Sequence, residues 1–164
     1  MTLVNMKKLL TRAEKTETGC GAFNAGNMEM VRGIIRAAEE TETPLIMQIA
    51  EGRLDNSPLE LMAPMMVQAA KSADIDIAVH FDHGRTKKNI RQALEFGFTS
   101  VMFDGSRLSF EENIVKTKEI AELAKEYGAD AEGELGTVGG SEGKGGGAEI
   151  RYTDPAAAGE FAAM

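Results

Sequence analysis

Apolar positions recur along this chain in two alternating rhythms: the 3.6-residue period of a helix, and short, nearly continuous runs that suit buried strands. The spacing predicts a helix over 5–16 and then an extended piece over 20–23, flanked by Gly19 and Gly21. Met28, Val31, Ile35 and Ala38 fall on one stripe of the next helix, and Glu39, Glu40 and Glu42 lead from it to Pro44, where helix cannot easily continue. A strand over 45–49 follows. Pro58 suits the first turn of another helix, with Ser57 as its cap and Leu59, Met62, Met66, Ala69 and Ala73 on its inner stripe. Strands are then expected over 75–82, 99–103 and 130–135, and helices over 86–96 and 110–127 closed by Gly97 and Gly128. A glycine-rich loop spans 136–147, and Asp154 and Pro155 open a last helix.

Five strand and helix pairs in sequence favour a (β/α) barrel or an open doubly wound parallel sheet. An eight-unit barrel takes about 250 residues, so this chain supplies about five of the eight units. The expectation is an α/β fold of the TIM-barrel kind, as a single partial domain over 1–164.

Composition narrows the function classes. The chain has 164 residues, 43% of them hydrophobic, which is enough for a sizeable core. Its 18 basic and 26 acidic residues give a net charge of −8, which speaks against a nucleic-acid partner. No run approaches the roughly 18 apolar residues of a membrane-spanning helix. The first ten residues carry no apolar run or cleavage site, and the single cysteine, Cys20, suits a reducing compartment. Cytoplasm is the expected location.

The polar positions are more telling. Along the strand over 75–82, Ile75, Ile77, Val79 and Phe81 share one face, while Asp76, Ala78, His80 and Asp82 share the other. The apolar set would pack on helices, leaving the second set toward a barrel interior, where a carboxylate is costly unless it is paired, metal-bound or near water. Asp82 and His83 stand at the C-terminal end of that strand, the rim on which barrel enzymes build their sites. Asn24 follows the first strand, Asp104 closes the fourth, and Glu132 and Glu134 share one face near the end of the fifth. Each has an ordinary reading beside the functional one: Asp104 as a helix cap, His80 as a hydrogen-bonded interior histidine, Glu132 as the partner of a nearby Lys or Arg. The runs Gly139-Gly140 and Gly145 to Gly147 read equally as a flexible linker. Cys20 reads as a small buried residue and the methionines as pliable core. Taken together, imidazole and carboxylates at successive strand exits are suitable ligands for a divalent metal. Neither a Walker loop nor a G-x-G-x-x-G motif after a strand is present, so nucleotide binding has no support.

Three segments carry a family resemblance: His80-Phe81-Asp82-His83-Gly84, Val101-Met102-Phe103-Asp104-Gly105-Ser106, and Glu132-Gly133-Glu134-Leu135-Gly136 with Gly139-Gly140. With Ala22-Phe23-Asn24, Pro44-Leu45-Ile46 and Tyr152-Thr153-Asp154-Pro155 in the same order, the chain resembles the class II, zinc-dependent ketose-bisphosphate aldolases of the fructose- and tagatose-bisphosphate type. The resemblance implies that Asp82 is the acid/base at the substrate's C4 hydroxyl and His83 a ligand of catalytic zinc. It also implies that Asp104 and Glu134 hold a second divalent metal, that Glu142 moves a proton at the dihydroxyacetone-phosphate end, and that Asn24 lies near the substrate. The family's zinc has three histidine ligands, and two come from later strands, so the chain resembles the N-terminal portion of such an enzyme. Ala50 falls where some relatives carry a small hydroxyl residue.

The expected reaction is reversible cleavage of a ketose 1,6-bisphosphate to dihydroxyacetone phosphate and glyceraldehyde 3-phosphate, in a homo-oligomer or with a complementary chain. The isolated chain is expected to bind zinc weakly and to show little cleavage, because a five-stranded piece of barrel leaves two open edges and one uncovered inner face. The alternative is a non-catalytic half-barrel subunit that assembles with a partner. A metal-dependent hydrolase barrel would call for paired histidines on the first strand, and none stands near 20–24.

Overall fold

The computed structural model describes residues 2–136 and 151–163. Five strands, β1 (Ala22–Asn24), β2 (Leu45–Ala50), β3 (Ile77–Gly84), β4 (Ser100–Phe103) and β5 (Asp130–Gly133), form one parallel sheet in chain order. Six α-helices accompany them among the described residues: α1 (Met6–Lys15), α2 (Met28–Glu40), α3 (Leu59–Ser72), α4 (Lys87–Glu95), α5 (Phe110–Glu126) and α6 (Pro155–Ala163). This is the alternating architecture the apolar periodicities predict.

One face of the sheet packs on helices. Met47, Ile49, Ile77, Val79, Phe81 and Val101 alternate along their strands and meet Val31, Met66, Ala70, Ile90 and Leu123 from α2 to α5 in the main core. The helix boundaries follow local chemistry. The Asn27 side chain accepts a hydrogen bond from Met30 N, Thr86 accepts one from Asn89 N, and Ser109 and Glu112 form a reciprocal capping box on α5. Gly97 and Gly128 follow the ends of α4 and α5 with φ of +91° and +67°, the left-handed conformation that lets a chain leave a helix without a Cβ clash.

Three expectations shift in detail. The third strand starts at Ile77 rather than residue 75, and Asp76 lies before it, paired with Lys8 Nζ at 2.7 Å. Ser57 does not cap α3. Its hydroxyl donates to the Gly26 carbonyl at 2.7 Å and ties the β2–α3 connection to the β1–α2 connection. The sheet face opposite the helices is not bare, because α1 lies across its N-terminal half. There Val4, Met6 and Leu9 form a second cluster with Ile46 and Ala78, and Asn5 Nδ2 donates to the Gly128 carbonyl at 2.8 Å. The strand exits on that face stay clear of α1.

Candidate active site and metal centre

In a regular strand Asp82 and His83 point to opposite faces. Here they do not. Between β3 and β4 the register shifts: Phe81 pairs with Val101 but Gly84 with Phe103, so β3 carries one extra residue, a bulge. His83 sits in it with φ of +46°, a left-handed backbone that costs a non-glycine residue on the order of 1 kcal/mol. The distortion swings the imidazole onto the inner face beside Asp82, with His83 Nε2 and Asp82 Oδ1 3.9 Å apart. Gly84 is needed next, because a Cβ there would fall 2.6 Å from the Met102 carbonyl oxygen and 2.7 Å from Ile90 Cγ1.

The neighbouring exits complete a cluster. His83 Nδ1 lies 3.4 Å from Asp104 Oδ2 at the end of β4 and 3.4 Å from Glu134 Oε2 just past β5. One ligand atom from each of His83, Asp104 and Glu134 lies within 4.8 Å of the others, a grouping that could hold a metal ion. Asp104 Oδ1 accepts from the Ser106 hydroxyl at 2.6 Å and from Ser106 N at 3.3 Å, and Arg85 Nε stands 3.9 Å from Oδ2. The hydrogen bond with His83 is the main reason the Asp104 carboxyl is held well below the usual carboxylate range; Ser106 adds to it and burial opposes it.

Deeper in the same face, His80 is almost fully buried, with Nδ1 hydrogen-bonded to the Ser100 hydroxyl and Nε2 3.5 Å from Glu132 Oε2. Burial, and then the neighbouring His83, pull its pKa down to about 4, so it is a neutral interior histidine at pH 7. Glu132 thus faces a histidine rather than a Lys or Arg. Its carboxyl is pushed up, first by desolvation and then by the charge of Asp82, with His83 acting in the opposite direction.

Of the residues singled out from sequence, Asp82, His83, Asp104 and Glu134 meet at one mouth, and Asn24 ends β1 at the same edge of the sheet, in register with Gln48. Glu142 lies outside the described residues, as do Gly139-Gly140 and Gly145 to Gly147. Cys20 is partly buried, and that burial raises its thiol pKa.

Two supporting residues escaped the sequence reading. Glu51, directly after β2, accepts Arg85 N at 2.6 Å and Thr86 N at 3.2 Å on Oε2, and Thr86 Oγ1 at 3.1 Å and Asn89 Nδ2 at 2.9 Å on Oε1. Asn113 of α5 is 2% exposed and donates from Nδ2 to the Glu134 carbonyl at 2.7 Å, while its Oδ1 accepts from Thr117 Oγ1 at 3.0 Å. A Cβ on Gly105 would lie 2.0 Å from that Oδ1, so Gly105 and Asn113 fit as a pair. The signal for Asn113 is a polar residue on the inner stripe that Ile120 and Ala124 continue.

With this geometry in hand, comparison with known proteins is decisive. The family described as Fructose-bisphosphate aldolase class-II matches residues 4–164. The chain belongs to the class II fructose-bisphosphate aldolase family. It is 42% identical over 142 residues to a sulfofructosephosphate aldolase of Alkalicoccus urumqiensis, covering 87% of this chain and 50% of that protein. It is 37% identical over 158 residues to a fructose-bisphosphate aldolase of Staphylococcus aureus, covering 94% of this chain and 55% of the other. The solved YdjI aldolase of Escherichia coli K12 superposes with a TM-score of 0.88 at 35% identity, over 98% of this chain and 58% of that one. The chain therefore spans about half the length of the curated relatives it matches. The five-stranded parallel sheet with its alternating helices is accordingly of the class II aldolase TIM-barrel type. No helix among the described residues is long and apolar enough to cross a membrane.

Proposed function

We propose that this chain carries the first half of a cytoplasmic, zinc-dependent aldolase site that reversibly cleaves a ketose 1,6-bisphosphate, fructose or tagatose, to dihydroxyacetone phosphate and glyceraldehyde 3-phosphate. The observation that supports it is the convergence of Asp82, His83, Asp104 and Glu134, which a regular strand would not produce. The donor set fits a divalent cation: one imidazole nitrogen and two carboxylates, with more negative charge than one histidine can offset. His83 would hold the catalytic zinc, and Asp104 and Glu134 a second divalent ion. Bound zinc supplies a Lewis acid for the negative charge that develops on the substrate's carbonyl oxygen, with no lysine Schiff base required.

The chain's own residues do the rest. Asp82, at the exit of β3, takes the C4 hydroxyl proton as the C3–C4 bond breaks and returns it in the condensation direction. Asn24 orients the substrate from the exit of β1. Glu142 exchanges the proton at the dihydroxyacetone-phosphate carbon. His80, neutral and hydrogen-bonded to Ser100, supports the floor of the site.

β1 and β5 are the edges of the sheet among the described residues, where a second copy or a complementary chain could pair. A non-catalytic half-barrel subunit is the second reading, favoured by the two histidines of this chain against the three that family zinc sites use.

The test is triose release from fructose 1,6-bisphosphate, tagatose 1,6-bisphosphate and, after the Alkalicoccus relative, sulfofructose phosphate. Each assay is run with zinc and again after chelation. Zinc-dependent cleavage of one of these substrates by the assembled protein, with little from the isolated chain, is the expected result; zinc binding by the assembled protein without cleavage of any of them would favour the accessory subunit.

A further inference from the structure

Glu51 lies outside the cluster of candidate ligands, yet it acts on the segment that leads away from His83. Its two oxygens divide the work. Oε2 takes both backbone N–H groups of Arg85 and Thr86, while Oε1 takes the Thr86 hydroxyl and the Asn89 amide. Those N–H groups belong to the two residues that lead from β3 into α4, the second being the helix N-cap Thr86, where the helix dipole also favours an anion. The pairing of β3 with β4 is interrupted between Phe81 and Gly84 and resumes at Gly84, whose carbonyl accepts from Asp104 N at 2.8 Å, and Arg85 and Thr86 lie beyond that last pair. A left-handed His83 is an unfavourable backbone state that persists only where surrounding contacts enforce it. On one side Gly84 is wedged against Met102 and Ile90. On the other, Glu51 is the described side chain that fastens residues 85 and 86 from a neighbouring strand exit.

We propose that Glu51 is a positioning residue for the metal centre: it locks the β3 exit from the end of β2 and so holds the His83 imidazole facing Asp104 and Glu134. It is not one of the three candidate ligands and acts through the backbone that follows His83. The inference rests on the metal reading above. It adds a contribution from a residue that presents no ligand atom to the cluster.

The experiment is a titration with cobalt(II) alone, following its visible d–d absorption, on the parent chain and on E51A, E51D and E51Q. Outer residues that orient a ligand typically change metal affinity by 10–100-fold, and E51A is expected to lose affinity in that range and to alter the band shape, with its far-UV dichroism unchanged. E51Q, whose amide oxygen can still accept from Arg85 and Thr86, recovers most of the affinity. E51D draws the oxygens back by one methylene and loses part of it, and it decides the matter should E51A fail to fold. Cobalt binding by E51A and E51D equal to that of the parent would overturn the role of Glu51 alone. A parent chain that binds no cobalt would overturn the metal reading, and the inference with it.

Discussion

The two ends of the sheet treat acidic side chains in opposite ways. At the N-terminal end, beneath α1, each acid has its own donor: Asp76 meets Lys8 Nζ at 2.7 Å and Asp130 accepts Lys7 N at 2.7 Å. Val4, Met6, Leu9, Ile46 and Ala78 form an apolar cluster there, and Asn5 Nδ2 donates to the Gly128 carbonyl. At the C-terminal end Asp104 and Glu134 share one imidazole, Asp82 stands beside it, and Glu132 lies deeper against a neutral His80. There the groups differ: His83 and Ser106 favour the charged form of Asp104, while burial and the charge of Asp82 disfavour that of Glu132. Dispersed acids at one end and acids gathered around one imidazole at the other are what the proposed division into scaffold and site rests on.

The sharpest way to break this contrast is to neutralise one acid at the strand exits. Asp82→Asn, in the protein assembled for activity, should lower the turnover for aldol cleavage about 10²- to 10⁴-fold, the usual contribution of a positioned acid/base, while leaving cobalt affinity nearly unchanged. Steady-state kinetics beside a metal titration would show this. Turnover equal to the parent would remove Asp82 from the reaction and with it much of the contrast.

Next in size are two buried positions chosen to separate folding from the site. Leu9→Ala removes an apolar anchor of α1 and should cost about 2–4 kcal/mol in urea unfolding with metal affinity intact. Asn113→Ala should cost a similar amount, since it deletes the hydrogen bonds to the Glu134 carbonyl and Thr117 and leaves a void beside Gly105, but it should also weaken cobalt binding. Equal effects on metal from both variants would mean the two ends are not separable.

Acidification should act through His80. Its folded-state pKa of about 4 lies below the ordinary 6.5, so between those values the unfolded chain binds the extra proton and stability falls as pH falls. Between pH 7.5 and pH 5 the loss should reach about 2 kcal/mol. Glu132, whose carboxyl is pushed up, works in the opposite direction over part of that range, while the depressed Asp104 contributes only when pH falls below the ordinary carboxylate range. His80→Gln isolates the histidine: denaturant midpoints measured across pH should flatten in the variant, and an unchanged slope would show that His80 is not the group responsible.

How far the sequence could be read follows the same division. The strand and helix alternation was visible because buried faces impose a period, and Val79 or Ile90 must be apolar wherever the exits lead. The acids and the imidazole at the exits were visible because charge on an inner strand face is unusual. What period-2 logic could not supply was the bulge, since it assigns Asp82 and His83 to opposite faces, and no residue type announces an inserted position. Glu51 was hidden for another reason: its partners are backbone N–H groups more than thirty residues away, and a backbone donor leaves no trace in residue identity. The cover that α1 gives the inner face was missed because its apolar residues read equally well as packing on the helix side.

The smallest expected effect tests the claim that the N-terminal end is only scaffold. The Lys8 ammonium is more than half exposed, so its 2.7 Å contact with Asp76 competes with water and salt, and such pairs contribute about 0–1 kcal/mol. Lys8→Ala should therefore move the urea midpoint slightly at low ionic strength and not at all in high salt, where screening has already removed the attraction. Cobalt affinity and cleavage should stay at parental values, because the Ile46 and Ala78 layer and then His80 stand between Asp76 and the strand exits. A loss of metal binding in this variant would mean that charge at the lower end is felt at the upper, and that a single field over the whole inner face, rather than local pairing at each end, sets the state of the site.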